Sequence, residues 1–189
     1  MVKRRRTRSI WLGLAALATA LVPLGATTLI QLSLNDLIKL SSGIVRAKVT
    51  GVHTDYGGSD IFTYYQLLVS EDWRASGLTP TTPTQIQVAV PGGVVRGVRQ
   101  TVAGAPPMVV GQEYVVFLWT SRSGLTQVIG LSQGLFQVQA DANGNPVLVR
   151  PATGEAVVDK NGNSVTDQAL TISLAALRAQ ARSTLGVTQ

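Results

Sequence analysis

The chain has 189 residues, which is enough for one domain preceded by a targeting segment. It has no cysteine, and this excludes disulfides, thiol nucleophiles and cysteine-based metal sites. The formal net charge is +6, but five of the sixteen basic residues precede Ser9 and no acid precedes Asp36. Residues 27–189 therefore include eleven basic and ten acidic residues. This near-neutral balance lacks the excess positive charge that is typical of nucleic-acid-binding domains.

Residues 1–26 have the three parts of a signal peptide. A basic run, Lys3–Arg8, is followed by an apolar run, Ile10–Val22. Pro23 then interrupts the apolar run, and Ala26 supplies a small residue at a plausible cleavage point. This order predicts export to the periplasm or the extracellular space.

Cleavage of the signal would leave a single domain over residues 27–189. The alternative is an uncleaved membrane anchor, because no charged residue lies between Arg8 and Asp36. In that case alone we expect the protein to be held at the membrane.

A short helix is predicted near the start of this domain, over Ser33–Ser42, where apolar residues recur at helical spacing. Asn35 and Asp36 are residue types favoured at helix caps, and Gly43 can end the helix. A second amphipathic helix is predicted at the other end of the domain, over Ser173–Leu185.

Between the two helices the apolar residues mostly alternate, which predicts β-strands. Tyr56–Asp60 is predicted as a turn, and the continuous apolar run Gly111–Trp119 indicates a strand buried on both faces. The predicted strands are Ile44–Val52, Ile61–Val69, Thr84–Val90 and Gly111–Trp119, followed by a hairpin of Thr126–Gly130 with Leu135–Ala140. This spacing predicts a mainly β domain, a small barrel or sandwich with two flanking helices.

The pattern D-x-N-G-N occurs twice, at Asp141–Asn145 and Asp159–Asn163. Asn-Gly favours a hairpin turn because both residues tolerate positive φ. Weak calcium binding is the alternative, although glycine is fourth in this pattern rather than sixth as in the EF-hand loop. We therefore expect two hairpin turns and no metal site.

The residues that bear chemistry do not form a recognisable catalytic pattern. His53 is the single histidine, and with no cysteine it cannot build a usual zinc site. No G-x-S-x-G motif occurs, so His53 is expected to face solvent or to make a local hydrogen bond. Two carboxylate pairs, Asp55 with Asp60 and Glu71 with Asp72, could suggest glycosidase chemistry. Aromatic residues line the sugar-binding clefts of such enzymes, however, and only 5% of this chain is aromatic. No catalytic residue and no cofactor are therefore predicted.

The Gly-rich segment after the third predicted strand is the candidate binding loop. It lacks a phosphate-binding motif, and loops of this length are either functional or disordered. Its two arginines offer bidentate donors to a carboxylate, while a simple barrel crossover is the alternative interpretation. The predicted partner-binding residues are Pro91, Gly92, Gly93, Arg96, Arg99, Pro106 and Pro107.

Three stretches together resemble the N-terminal domain of tissue inhibitors of metalloproteinases: Ser42–Gly51, Ile61–Val69 and Gly111–Leu118. The chain is also similar to a group of uncharacterised exported bacterial proteins that share the helix, the first strand and the V-P-G-G loop. The resemblance implies an OB-like five-stranded barrel over about residues 40–140. It does not carry the inhibitory mechanism, because those inhibitors bind the protease zinc through an N-terminal cysteine that this chain lacks.

The sequence therefore predicts an exported, non-catalytic binding or accessory module with an OB-like barrel. We expect its partner to be another exported protein or an envelope component, and not a nucleic acid. A peptidase inhibitor or peptidase-associated factor is the first alternative, and a small hydrolase is the second.

Overall fold

The computed structural model describes residues 28–74 and 80–186, so the predicted signal peptide, residues 1–26, lies outside the described residues. In chain order the elements are β1 (Thr28–Ile30), α1 (Leu34–Leu40), β2 (Gly43–Gly57), β3 (Asp60–Asp72), β4 (Pro80–Pro91), β5 (Gly93–Val95), β6 (Val98–Gln100), β7 (Glu113–Thr120), β8 (Thr126–Val128), a 3-10 turn (Leu131–Gly134), β9 (Leu135–Ala140), β10 (Pro146–Arg150), β11 (Ala156–Val158), β12 (Ser164–Val165), β13 (Leu170–Ser173) and α2 (Leu174–Leu185). Neither helix of the described ranges is long and apolar enough to cross a membrane.

Five strands close into a barrel. β2, β3 and β4 form an antiparallel meander, and β7 pairs antiparallel with the other edge of β2. β8 pairs antiparallel with β7 and meets β4 in parallel at Ala89 and Gln127, which completes the ring. This strand order is that of an OB barrel, so the predicted mainly β, OB-like fold is confirmed.

The barrel has two hydrophobic cores, one inside it and one between its wall and the helices. β7 contributes to both, because Val116 and Leu118 point into the barrel while Val115 and Phe117 point toward the helices. The predicted double burial of this strand is confirmed. The second core is completed by residues from both helices and the strands around them: Leu37, Ile38, Ile44, Trp73, Phe136, Leu148, Leu174, Leu177 and Ala181.

The predicted hairpin of 126–130 with 135–140 is wrong. β8 and β9 do not pair with each other; both lie along the same edge of β7, where Leu118 faces Val128 and Val116 faces Leu135. The 3-10 turn separates them, so on this edge Phe117 has no paired strand residue, whereas on the other edge it faces Ile44 of β2. One interrupted edge therefore closes the barrel with β8 and extends the sheet with β9, β10 and β13.

Both D-x-N-G-N segments are hairpin turns, as predicted, joining β9 to β10 and β11 to β12. In each turn the aspartate carboxylate accepts hydrogen bonds from backbone N–H groups. In the first turn, the amides of Asn143 and Asn145 both donate to Asp141 at 2.8 Å. The hydrogen bonds from Asn145 are the main cause that lowers the pKa of Asp141. Among the described residues no cluster of three metal-binding side chains occurs. The carboxylates of Asp141 and Asp159 stabilise the turns by accepting these hydrogen bonds.

The helix ends differ in part from the prediction. Ser33, and not Asn35 or Asp36, is the N-cap of α1, and Asp36 closes a capping box with it. The hydrogen bond from Ser33, together with Lys160, lowers the pKa of Asp36 to about 2. Gly43 does not end α1, because Ser41 is its C-cap and Gly43 already lies in β2. α2 begins after its N-cap Ser173, as the amphipathic pattern predicts.

One buried carboxylate connects the barrel to α2. Glu71 is only 8% exposed and lies at the end of β3. It accepts hydrogen bonds from Arg46 at 3.1 Å and from the Trp73 indole at 2.8 Å, and it forms an ion pair with Arg178 of α2. Burial raises the pKa of Glu71, but the hydrogen bonds from Trp73, Arg46 and Arg178 outweigh this, so its pKa is lowered overall.

We expect Glu71→Ala to lower the free energy of unfolding by about 3 kcal/mol, because it leaves two guanidinium groups without their shared carboxylate. Glu113→Ala is the matched control, since Glu113 contacts Arg46 alone at 2.9 Å and is more exposed. We expect that change to cost about 1 kcal/mol. Urea unfolding of the three proteins measures both values, and equal losses would contradict the central role of Glu71.

The lowered pKa of Glu71 also predicts an acid-dependent loss of stability. Its contribution is present above its ordinary pKa of 4.5 and is lost as the pH falls through the lower pKa of the folded protein. Glu71→Gln removes this titration while the other carboxyl groups titrate in both proteins. The stability gap between wild type and variant should therefore shrink from about pH 7 to about pH 3 in urea unfolding. A gap that stays constant would show that Glu71 titrates normally.

Candidate functional site

The predicted binding loop contains an ordered hairpin. After β4 ends at Pro91, the chain forms β5 and β6, which pair antiparallel with Val95 facing Val98. Arg96 and Gly97 form the two-residue turn, with φ angles of 49° and 84°. Two successive positive φ angles are typical of the tight turns whose twist matches a hairpin. We call residues 93–100 the tip hairpin.

The tip hairpin is fixed to the outer part of β2 and β3, residues 51–66, which we call the β2–β3 arm. Four hydrogen bonds within 2.8 Å join the arm to the hairpin and to the residue that precedes it. They run from Thr54 Oγ1 to the Val94 carbonyl, from Thr63 Oγ1 to the Gly92 carbonyl, from the Gly92 amide to the Ile61 carbonyl, and from the Ile61 amide to Gln100 Oε1.

Glycine at position 93 is required for this close approach. The φ of Gly93 is 144°, and a Cβ there would lie 2.8 Å from Thr63 Oγ1 and 2.9 Å from Thr54 Cγ2. Residues with a side chain rarely adopt this backbone conformation, and the neighbouring threonines leave no room for a Cβ atom. Gly92, with φ at 99°, is similarly restricted, because its Cβ would meet the Gln100 carbonyl at 3.0 Å.

The tip hairpin exposes apolar and cationic groups, with Val94 and Arg99 on one face and Val98 on the other. Val94 is 40% exposed and Val98 is 53% exposed, which is high for valines in an ordered strand. Arg96 and Arg99 are exposed, and neither forms an ion pair with a carboxylate of the described residues. Their guanidinium groups therefore have their donors directed to solvent.

The rest of the loop returns across one end of the barrel. Met108 is buried in the barrel core, and its amide donates to the Tyr65 hydroxyl at 3.3 Å. Pro106 is buried and Pro107 is exposed just before this anchor. A cleft of about 230 Å³ lies between this segment and the start of the loop. Six of the seven predicted residues line it: Pro91, Gly92, Gly93, Arg99, Pro106 and Pro107. Arg96 lies apart, at the turn of the tip hairpin.

This arrangement is suited to binding. No carboxylate and no histidine lines the cleft, so its described residues supply neither a general base nor a general acid of the usual kinds. Arg99 offers planar donors that match a carboxylate, and the surrounding prolines and valines offer apolar contact.

The other residues that the sequence singled out lie elsewhere. His53 is exposed, as predicted, and its ring stacks on Tyr64 at a centroid distance of 5.2 Å. It lies within β2, which continues to Gly57, so the predicted turn at 56–60 begins later than expected. Glu71 belongs to the ion-pair network described above. No local pattern in the sequence indicates that His53 and Tyr64 are paired, because only the strand register brings them together.

We expect Gly93→Ala to lower the free energy of unfolding by about 2 to 3 kcal/mol, through backbone strain and the clash with Thr63 and Thr54. Gly58→Ala is the matched control, because Gly58 has a φ of 74° and a methyl group added there would have nothing within 4 Å of it. That variant should lose about 1 kcal/mol. Urea unfolding compares the two, and equal losses would show that the tip hairpin is loosely attached.

In comparisons with known proteins, no protein-family model matches this chain and no curated protein is significantly similar to it. The resemblance to the N-terminal domain of tissue inhibitors of metalloproteinases therefore stays a prediction. The role of the protein has to follow from the chemistry of its own residues.

Proposed function

We propose that this protein is an exported, non-catalytic binding module that captures a partner protein through the tip hairpin. The observation that supports this most directly is the pair of exposed, carboxylate-free arginines, Arg96 and Arg99, beside two exposed valines on a hydrogen-bonded hairpin.

A fixed hairpin favours binding because less conformational freedom is lost when the partner arrives. The hydrogen bonds to the β2–β3 arm and the restricted glycines already hold the backbone in one conformation. Arginine is also enriched among the residues that dominate interface energies, and adjacent apolar groups exclude water around it.

The partner is an acidic segment of another exported protein or of an envelope component. Each guanidinium donates two hydrogen bonds to a carboxylate of the partner, and Val94 and Val98 contact apolar side chains nearby. Because the valines are apolar, we expect only part of the affinity to be lost at high salt.

Peptidase inhibition is a second candidate, favoured by the narrow, hydrogen-bonded shape of the tip hairpin, which suits insertion into a cleft. Such inhibition would not use the zinc-chelating mechanism of the metalloproteinase inhibitors, because the chain has no cysteine. Arg96 at the turn would then be the residue that enters the peptidase.

We expect the double variant Arg96→Ala/Arg99→Ala to lose partner capture while its melting temperature changes by no more than about 2 °C, since both side chains are exposed. The wild type and the variant are cross-linked in culture medium of the source cells, and the captured proteins are quantified by mass spectrometry. Arg122→Ala is the matched control, because Arg122 is an exposed arginine outside the loop.

Capture that is equal in wild type and double variant would contradict the proposal, and so would a collapse of the melting temperature, which would make the arginines structural. If the captured protein is a peptidase, its activity is measured with and without the wild-type protein. Inhibition that the double variant fails to produce would favour the second candidate.

A further inference from the structure

A second cleft lies on the side of the β2–β3 arm that faces away from the tip hairpin. Thr54 and Thr63 bond to the tip hairpin region, and strand alternation places their neighbours on the opposite side. This outer cleft has a volume of about 550 Å³, within the range of small-molecule sites. It lies between the arm and the turn that joins β7 to β8, and its lining includes His53, Asp55, Phe62, Tyr64, Gln87 and the turn residues 123–125.

The floor of the outer cleft is lined by aromatic rings. His53 faces Tyr64 across the strands, with ring planes 17° apart. Phe62 faces Asp55 two pairs further along the strands, and its ring lies 6.2 Å from that of Tyr64, centroid to centroid, and is tilted by 45° to it. Three of the chain's few ring side chains are therefore collected on one face.

Polar groups without protein partners surround this aromatic surface. Within the described ranges, the His53 imidazole, the Tyr64 hydroxyl and the side-chain amide of Gln87 make no hydrogen bond to the protein. Asp55 uses Oδ1 to accept from the Tyr56 amide at 2.8 Å, and its Oδ2 has no protein donor among the described residues. Donors and acceptors are thus both available to a ligand with hydroxyl groups.

The charges of the outer cleft select against phosphate. Asp55 and Asp60 line it, and no lysine or arginine does. Arg122 precedes the lining turn but is not part of the cleft wall. Nucleic-acid binding depends on neutralising phosphates with lysine and arginine, so these two carboxylates oppose it. They are, in contrast, good acceptors for neutral hydroxyl groups.

We propose that the outer cleft binds a neutral oligosaccharide. The rings of Tyr64 and Phe62 contact the apolar C–H groups of the sugar, while Asp55, Gln87 and His53 hydrogen-bond its hydroxyl groups. OB barrels use their second and third strands and the loops beside them for either oligonucleotides or oligosaccharides. Those strands are β3 and β4 here, and they supply Phe62, Tyr64 and Gln87 to the outer cleft. The acidic lining decides between the two ligand classes in favour of the sugar. This site is separate from the tip hairpin and goes beyond the proposed capture of a protein.

The test is isothermal titration calorimetry of the purified protein with chitotriose, cellotriose and maltotriose, and with a short oligothymidylate. We expect at least one neutral trisaccharide to bind saturably below about 10 mM, and the oligothymidylate not to bind. Tyr64→Ala should weaken the sugar affinity about tenfold by removing the stacking surface. Trp119→Ala is the matched control, because Trp119 is an aromatic residue, 46% exposed, that lies outside the outer cleft, and it should leave the affinity unchanged.

Asp55→Asn and Gln87→Ala alter exposed residues and keep the test valid if Tyr64→Ala fails to fold, and each should weaken binding severalfold. The Arg96→Ala/Arg99→Ala protein should bind sugar as wild type does, which separates this proposal from the protein-capture proposal. The proposal is overturned if none of the three sugars binds, if the oligothymidylate binds in their place, or if sugar affinity is the same in all the outer-cleft variants.

Discussion

The structure depends on the ion-pair network of Glu71. This carboxylate lies at the end of β3, where three donors from β2, from the residue after β3 and from α2 converge on its two oxygens. Desolvation alone would favour the protonated acid and raise the pKa of Glu71, and the hydrogen bonds from these donors outweigh it and keep the pKa below its ordinary value. The Arg178 guanidinium also lies 5.7 Å from the centre of the buried Trp73 ring. The network therefore fixes α2 against the barrel wall without a disulfide, which a chain lacking cysteine cannot use.

Strand β7 lies between the two hydrophobic cores and contributes side chains to both. Its alternating side chains fill the barrel on one side and the helix layer on the other. One of its edges pairs with β2, and the other is shared between β8 and β9. A strand that is paired on both edges and buried on both faces leaves no backbone hydrogen-bonding groups exposed to solvent. The barrel can therefore close with β8 while the same sheet extends through β9, β10 and β13.

Local signals in the sequence were sufficient for the helices and the main barrel strands, but not for the short strands β1, β5, β6 and β13 or for the strand pairing. Alternation predicts β2 and β4, a β-rich composition predicts β3, a continuous apolar run predicts β7, the apolar stripe predicts α2, and Asn-Gly predicts both late hairpins, because each signal lies within a few residues. The separate paths of β8 and β9, and the cluster of His53 with Tyr64, depend on register between distant segments. For the candidate site, the sequence indicated the loop with its glycines and arginines, but not that residues 93–100 form a hairpin fixed to Thr54 and Thr63.

The β2–β3 arm links the two proposed binding surfaces. Its hairpin-facing side is covered because Gly92 and Gly93 let the backbone approach Thr63 and Thr54 within hydrogen-bonding distance. An isolated pair of strands is only marginally stable, so this cover, with β4 alongside, gives the arm a rigidity that two strands lack. In an open, exposed sugar site each contact contributes little binding free energy. The rings must therefore already be held in place, because ordering them on binding would cost free energy. The glycines that position the tip hairpin therefore also support the aromatic rings on the other side of the arm, so the two proposed ligands would bind on opposite sides of it.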